Sequence, residues 1–509
     1  MNRFLVALGA LLLHLLTIVR YGYFRDELYF IACARHLAWG YVDQPPLVAF
    51  AAWLATPFGY HLVALRLLPA IAAALASLVA MQIARELGGG KFAELLAGVS
   101  VALLPAYLLL GNLLTTTSFE ALSWTLVAWL CIRLCHPERS AAKSRDWLLL
   151  ALAVAFGLYG KYSMGLLVGA LFVGILLTRE RMILRTRWFA IAAGLCVVLV
   201  LPNLLWQWSH GWPFLAVIAG DAAHRHAFNT GLVLETQNVL TNALAFASEQ
   251  LVYTNPLSAP IWIAGLVAPF LWPKLRELRF VSVAFIALLI VAVALEAKGY
   301  YVIGIYGALL AIGAVVVERA ASWLRITAFA ALATVAVLTM PLSIPVLPLH
   351  AFIGYSAILG MTGRDGTPPK LVQPIYAEEF GWRRLARDVA SYYYALPAAT
   401  RAATAIYADT YADAGAIDLF GQSDALPPAI SSQNTYWLWG THGYDGRTLL
   451  AIGASRIDLL KTYYGSCKLL GTSTEPLKWA VEGPAPIYLC TQPTQSLDAI
   501  WPHLRWYGA

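Results

Sequence analysis

Charged residues are scarce in this chain, and their scarcity excludes an ordinary soluble fold. Asp, Glu, Lys and Arg make up 12% of the 509 residues, whereas hydrophobic residues make up 60%. Soluble globular domains carry roughly 25% charged residues. With a mean hydropathy of +0.66, the composition predicts a polytopic α-helical membrane protein.

Several sequence signals are also missing. Six cysteines are too few for a disulfide-stapled scaffold. The polar C-terminal part contains neither a Gly-rich phosphate loop nor a zinc-type Cys/His spacing, so the sequence requires no cofactor, although a divalent metal remains compatible with it. The net charge of +7 comes largely from basic loops between apolar stretches. Because no basic cluster lies on the soluble part, nucleic acid is not expected as a partner.

Apolar stretches of roughly 17 to 25 residues are typical of transmembrane helices. The pattern predicts about eleven of them. Two short ones are separated only by Gly160-Lys161-Tyr162 and form either a tight hairpin or one broken span. The predicted spans are residues 3–20, 62–84, 92–111, 117–135, 147–160, 162–178, 188–206, 256–272, 279–296, 301–317 and 323–342.

Lys and Arg concentrate in alternate loops, which predicts that these loops lie inside the cell. The loop of residues 20–60 then lies outside and, with an odd number of helices, so does the C-terminal part. The first helix lacks an Ala-x-Ala cleavage signal, so we expect a retained anchor. The basic residues assigned to inner loops are Arg85, Lys91, Arg133, Arg139, Lys143, Arg145, Arg179, Arg181, Arg185, Arg187, Lys274, Arg276, Arg279, Arg319 and Arg325.

The composition changes near Pro341, where a segment with three prolines ends at His350 and cannot continue a helix. We therefore predict a transmembrane module over residues 1–342 and an extracytoplasmic α/β domain over residues 343–509. Within that domain, local patterns predict helices at 380–395 and 412–419 and strands at 402–408, 449–452 and 487–490. Cys467 and Cys490 lie in this domain and form either a disulfide or two buried free thiols.

Two acidic spots follow the first apolar stretch, Asp26-Glu27 and Asp43. One interpretation is structural: Asp26 caps a helix that begins at Leu28, and Glu27 favours the positive end of that helix. The other is chemical, because a carboxylate beside tyrosines and lipid tends to have a raised pKa, which suits proton abstraction from a hydroxyl. A helix to residue 38 is roughly 16 Å long, and the return to Asp43 spans at most about 17 Å. The two acids can therefore face one pocket.

Cationic side chains at predicted outer helix ends are candidates for anion binding. Lys161 and Lys298 both lie beside tyrosine and glycine. For Lys161, extension of the side chain to the lipid headgroups is an equal alternative. For Lys298, the adjoining Tyr300-Tyr301 and the break at Gly299, which would let a ligand approach the backbone, favour an anionic ligand such as phosphate. Arg225, between two histidines, either binds the same anion or belongs to a solvated loop.

Segments spread along the chain resemble the GT-C membrane glycosyltransferases, in the branch of bacterial protein O-mannosyltransferases and lipid A aminoarabinose transferases. The Asp26-Glu27 pair followed by Asp43-Gln44-Pro45-Pro46 is the most specific part of the resemblance. Each of the other segments is weak alone. They are residues 118–124, 160–164, 201–206, 210–213, 298–301, 380–382, 411–417 and 436–440.

The resemblance implies transfer of a single sugar from a polyprenyl-phosphate carrier to a lipid, glycan or protein acceptor. The reaction would occur at the outer face of the cytoplasmic (inner) membrane, with inversion at the anomeric carbon and the carrier's lipid tail entering between helices. Asp26 would be the base, supported by Glu27 and Asp43. The residues implied to bind the donor phosphate are Lys298, Tyr301, Lys161 and Arg225.

One segment departs from this resemblance, and two alternatives remain. Related bacterial chains often carry an acid in an outer turn where this chain has Thr115-Thr116-Thr117, although Glu120 is retained. A transporter or flippase of envelope precursors is the first alternative, but internal repeats and charged midplane helices typical of transporters are not evident. A non-catalytic relative acting in envelope assembly is the second. The sequence does not identify the sugar or the acceptor.

Overall fold

The computed structural model describes residues 3–135, 143–224, 239–360, 372–453, 455–478 and 483–508. Its residue contacts divide the chain into two compact units. Unit 1 comprises residues 1–18, 63–206 and 226–346, and unit 2 comprises residues 19–62, 207–225 and 347–509. This grouping differs from the predicted division after residue 342, because residues 19–62 and 207–225 join the C-terminal part.

Twenty-four α-helices occur in the described residues. Those that lie wholly or mainly in unit 1 are α1 (Arg3–Leu15), α4 (Leu62–Glu86), α5 (Lys91–Ala102), α6 (Pro105–Asn112), α7 (Glu120–Cys135), α8 (Lys143–Gly160), α9 (Met164–Leu176), α10 (Arg187–Ser209), α12 (Val239–Thr254), α13 (Ala259–Leu271), α14 (Arg279–Ala294), α15 (Tyr306–Val317) and α16 (Ser322–Thr339). Those of unit 2 are α2 (Arg25–Arg35), α3 (Leu47–Leu54), α11 (Pro213–His224), α17 (Leu349–Ile358), α18 (Pro374–Ala377), α19 (Trp382–Tyr394), α20 (Ala398–Ala402), α21 (Tyr411–Phe420), α22 (Asn434–Trp439), α23 (Ile457–Tyr463) and α24 (Leu497–Leu504).

Five helical stretches in the described residues are long and apolar enough to cross a membrane, or up to seven if two bent pairs each count as one span. One bent pair, α5 and α6, turns by 58° before Pro105, whose ring cannot continue the preceding helix. Every predicted apolar stretch coincides with at least one helix, and α8 and α9 are separate helices. The count of eleven spans stays a prediction.

The most buried span is the stretch Gly299–Val317, of which 78% is buried. Its helix α15 packs closely against α13 through two glycines. A Cβ at Gly313 would lie 1.8 Å from the Ile261 carbonyl oxygen, and one at Gly265 would lie 2.0 Å from that of Leu309. Small residues let helix backbones approach in this way in membrane proteins, so the glycines determine where the two helices cross.

Unit 2 contains a five-stranded sheet in the order β2-β1-β3-β5-β4. Strands β2, β1 and β3 are parallel, with β2 at one edge of the sheet, and β5 and β4 add antiparallel partners on the other side. All residues of β1 and β3 are buried, as expected for parallel strands covered on both faces. Cys467 and Cys490 face each other across β4 and β5 and form a disulfide. The strands are β1 (Thr404–Ala408), β2 (Ala429–Ser431), β3 (Thr448–Ile452), β4 (Tyr464–Ser473) and β5 (Ala485–Pro493).

Candidate active site

Helix α2 places the first acidic pair, and the two acids have different environments. The helix begins at Arg25, and Glu27 is completely buried. The Glu27 carboxylate accepts a hydrogen bond from the Phe24 backbone N–H at 2.8 Å, which is how a residue at this position caps a helix. Glu27 therefore makes this capping contact, and the interpretation in which Asp26 caps a helix starting at Leu28 is wrong.

The Asp26 side chain is 31% exposed and lies in the first turn of α2. It accepts a hydrogen bond from the Tyr411 hydroxyl at 2.9 Å, and Arg25 Nε lies 3.9 Å from the same carboxylate oxygen. The Arg25 guanidinium in turn lies over the Tyr411 ring. Asp26 thus combines partial exposure with a hydrogen-bond donor and a nearby guanidinium group.

Asp43 is held on both carboxylate oxygens. The Tyr29 hydroxyl donates to Oδ1 at 2.7 Å, and the Asn434 amide donates to Oδ2 at 3.2 Å. The Tyr29 oxygen also lies 2.6 Å from the Thr435 hydroxyl oxygen. Burial raises the pKa of Asp43 to about 7; the negative charge of Asp26 adds to this rise, and the hydrogen bonds from Tyr29 and Asn434 oppose it.

Two stacked tyrosines join these acids into one group. The Tyr29 and Tyr411 rings lie 4.6 Å apart with 27° between their planes, and each hydroxyl binds one of the two carboxylates. Burial raises the pKa of both hydroxyls well above the usual value, so both remain proton donors. The two acids thus come together, as the spacing allowed. We call Asp26, Asp43, Tyr29, Tyr411, Asn434 and Thr435 the carboxylate cluster.

Close helix packing positions Tyr411. It is the first residue of α21, which Thr410 caps by accepting the Asp413 backbone N–H. One turn further on, a Cβ at Gly415 would lie 2.8 Å from the Leu28 carbonyl. Only glycine permits this approach of α21 to α2 without displacement. The approach places the Tyr411 ring against Tyr29.

Unit 1 contains a second candidate group, which we call the lysine cluster: Lys161, Thr117, Glu120, Tyr300 and Tyr301. Lys161 Nζ donates to Thr117 Oγ1 at 2.9 Å and lies 3.8 Å from Glu120 Oε2. It also lies 4.9 Å and 4.7 Å from the ring centres of Tyr300 and Tyr301. With a side chain only 16% exposed, Lys161 mainly contacts protein groups. Thr117, in the segment where related chains often carry an acid, thus accepts a hydrogen bond from Lys161.

Lys298 is exposed, in contrast to Lys161. It precedes the 3₁₀ helix Gly299–Ile305, whose first backbone N–H donates to Glu249 Oε2 at 3.1 Å. A Cβ at Gly299 would lie 2.1 Å from this carboxylate oxygen. The expectation that Gly299 leaves room for a ligand is therefore wrong, because Glu249 fills that space. Arg225 lies outside the described residues.

Tyr29, Tyr411 and Asn434 were not among the residues predicted for the site. The segments around positions 411 and 436 were noted only as parts of the resemblance, without a role. In the described part of the chain, no group of three or more His, Cys, Asp or Glu side chains is arranged to hold a metal ion.

The chain is similar to known proteins in one segment and in its overall fold. Residues 43–206, about one third of the chain, match the family described as dolichyl-phosphate-mannose-protein mannosyltransferase. No curated protein sequence matches the chain.

Two solved structures cover nearly its whole length. ArnT from Cupriavidus metallidurans bound to undecaprenyl phosphate is 14% identical, with a TM-score of 0.63 over 96% of this chain and 97% of that one. The apo structure of the same protein is 15% identical, with a TM-score of 0.60 over the same shares. At this level of identity the likeness concerns the fold. The chain is therefore similar to ArnT in its fold and to the mannosyltransferase family in residues 43–206.

Proposed function

We propose that this protein is an integral membrane glycosyltransferase that moves a single sugar from a polyprenyl-phosphate carrier to an acceptor, with inversion. The observation that carries the proposal is the carboxylate cluster, in which Asp26 and Asp43, both partly exposed, are linked by the stacked Tyr29 and Tyr411. The match over residues 43–206 and the fold shared with a protein crystallised with undecaprenyl phosphate support the class of donor.

Asp26 is assigned as the base. In a single displacement, the acceptor hydroxyl attacks the anomeric carbon while its proton passes to the Asp26 carboxylate. The bond from that carbon to the phosphate oxygen breaks, and the phosphate leaves with the electron pair. The partial exposure of Asp26 gives an acceptor access, and the hydrogen bond from Tyr411 holds the carboxylate in one orientation.

Glu27 and Asp43 are assigned supporting roles. Glu27 fixes the first turn of α2 by capping it and so orients Asp26. Asp43, with a pKa of about 7, is protonated in part of the population near neutral pH. Its Oδ1 accepts the Tyr29 hydroxyl hydrogen bond, and the Tyr29 ring stacks on Tyr411, which binds Asp26.

The donor phosphate is assigned to Lys161, Lys298, Tyr301 and Arg225. Cations beside the phosphate would neutralise the negative charge that develops as it leaves. Because Lys161 already contacts Glu120 and Thr117, an incoming phosphate would replace or share these contacts. Lys298 is exposed.

The test is the D26N variant of the full chain in membranes. It should bind a radiolabelled polyprenyl-phosphate sugar as the wild type does, but transfer the sugar on the order of 10²- to 10⁴-fold more slowly, which is the usual contribution of a general base. D458N, which changes a side chain that is 92% exposed, serves as the control. Wild-type turnover by D26N would refute the assignment, and a flippase would move the lipid without consuming the sugar–phosphate bond.

The outer-face location has its own test. A reporter that works only in an oxidising compartment, fused after residue 509, should be active if the basic loops lie inside. A fusion active only in the cytoplasm would overturn the orientation.

A further inference from the structure

We propose that Asn434 and Gln433, both held by the segment Trp506–Gly508, are positioning residues for the carboxylate cluster. This rests on the proposed function of that cluster. Gln433 and Asn434 follow strand β2 and are 0% and 1% exposed. Every contact used below lies within unit 2.

The peptide groups of Gly508 determine how both side-chain amides are oriented. The Gly508 N–H donates to Asn434 Oδ1 at 3.1 Å, and the Gly508 carbonyl accepts from Gln433 Nε2 at 3.1 Å. An N–H must face an amide oxygen, and a carbonyl must face an amide nitrogen. Neither amide can therefore be flipped without placing two donors or two acceptors against each other.

Once oriented, each amide has one group left, and that group contacts the cluster. Asn434 presents Nδ2, which donates to Asp43 Oδ2 at 3.2 Å. Gln433 presents Oε1, which accepts the Tyr411 backbone N–H at 2.8 Å. Gly508 thus holds Asp43 through Asn434. Through Gln433 it also holds Tyr411, which binds Asp26. The arrangement leaves Asp43 facing a donor and never an acceptor.

The backbone at this point suits asparagine in particular. Asn434 has a φ of +47°, a left-handed conformation that asparagine tolerates better than most side chains. Its N–H donates to the Trp506 carbonyl at 2.9 Å, and the Trp506 N–H donates to the Ser432 carbonyl at 3.0 Å. The segment Trp506–Gly508 is thereby bound on both sides of Gln433.

The consequence concerns the charge of Asp43. The titratable groups that face it are Asp26, Tyr29, Cys33 and Tyr411, and the tyrosines and the thiol remain neutral because burial raises their pKa. A donor at position 434 favours the ionised form of Asp43. An acceptor at position 434 would place its oxygen against the Asp43 carboxylate, which disfavours ionisation of Asp43.

The test measures transfer against pH for N434D, which keeps the size and the Gly508 contact but replaces the donor with an acceptor. The pH–rate profile should move to higher pH by at least about one unit, and kcat should fall at least tenfold, with KM for the donor within twofold of wild type. N434G, which keeps the left-handed backbone and removes the side chain, should lower kcat with a smaller shift. Removal of residues 506–509 should shift the profile in the same direction as N434D.

The matched control is A425G, because Ala425 also has a positive φ, +52°, and is not part of the cluster. It should keep the wild-type profile. If wild type transfers sugar and D26N does not, but N434D keeps the wild-type profile and kcat, the positioning role is refuted while the proposed function stands. If both Asn434 variants fail to fold at pH 7, Asn434 is a structural residue and the inference is likewise overturned. If wild type shows no transfer, the proposed function itself fails.

Discussion

Replacing Asp43 by asparagine should stabilise the protein at alkaline pH. Burial raises the pKa of Asp43 from 3.8 to about 7, and one pKa unit corresponds to about 1.4 kcal/mol. The difference of about three units amounts to about 4 kcal/mol. Because the folded-state pKa is the higher one, this stability is fully present below about pH 4 and is lost as the pH rises through 7. The D43N variant has no charge to bury and should not show this loss.

The assay is thermal unfolding of the full chain in detergent at pH 5 and pH 8.5. For a unit of roughly 200 residues, about 4 kcal/mol corresponds to a Tm change on the order of 10 °C. D43N should therefore melt about 10 °C above wild type at pH 8.5, and about 4 °C above it at pH 5, where a little over a third of the loss has occurred. Burial also raises the pKa of Asp409, to about 6, but this group is present in both proteins, so its contribution cancels.

One result would refute this reasoning. If D43N melts at or below the wild-type temperature at pH 8.5, the hydrogen bonds from Tyr29 and Asn434 outweigh the cost of burying the Asp43 charge. The D458N variant, which changes an exposed carboxylate, should follow wild type at both pH values. A shift of D458N as large as that of D43N would show that net charge, and not burial, sets the pH dependence.

Three further predictions address other parts of the molecule. Lys298→Ala should weaken binding of a polyprenyl-phosphate donor roughly tenfold to hundredfold, as loss of one charged contact of about 1.5 to 3 kcal/mol implies. An affinity within twofold of wild type would leave Lys161 or Arg225 as the phosphate ligand. Gly415→Ala should force α21 away from Leu28 and reduce transfer at least tenfold; unchanged turnover would show that the helices separate without moving Tyr411. Cys467→Ala should destabilise unit 2 by about 3 kcal/mol, since the disulfide closes a loop over a separation of 23 residues. A melting temperature unchanged under oxidising conditions would contradict this.

Some features of this protein depend on local sequence alone. The apolar stretches coincide with helices because lipid or core burial requires long runs of apolar residues with internally satisfied backbones. The resemblance to the GT-C superfamily was confirmed at the level of the fold, and Asp26 and Asp43 were identified as candidates by their aromatic and proline neighbours. The predicted helix at 412–419 and strand at 402–408 likewise correspond to α21 and β1.

Other features were wrongly interpreted or missed because they depend on partners distant in the chain. The capping contact was expected from Asp26 but is made by Glu27, since the cap depends on where the helix begins. Gly299 was interpreted as leaving space for a ligand, whereas Glu249, fifty residues earlier, fills that space. No local pattern places a carboxylate there.

The organisation of the carboxylate cluster is decided only by tertiary structure. Tyr411 and Asn434 lie 385 and 391 residues from the acids they contact, so no periodicity or spacing connects them. Composition and hydropathy determine which segments must be buried, because burial free energy depends on the residues themselves. Which hydrogen-bond donor meets which carboxylate depends on close packing between distant segments. One example is the approach of Gly415 to Leu28, where an added Cβ would lie 2.8 Å from the Leu28 carbonyl. Such contacts exist only after the chain has folded.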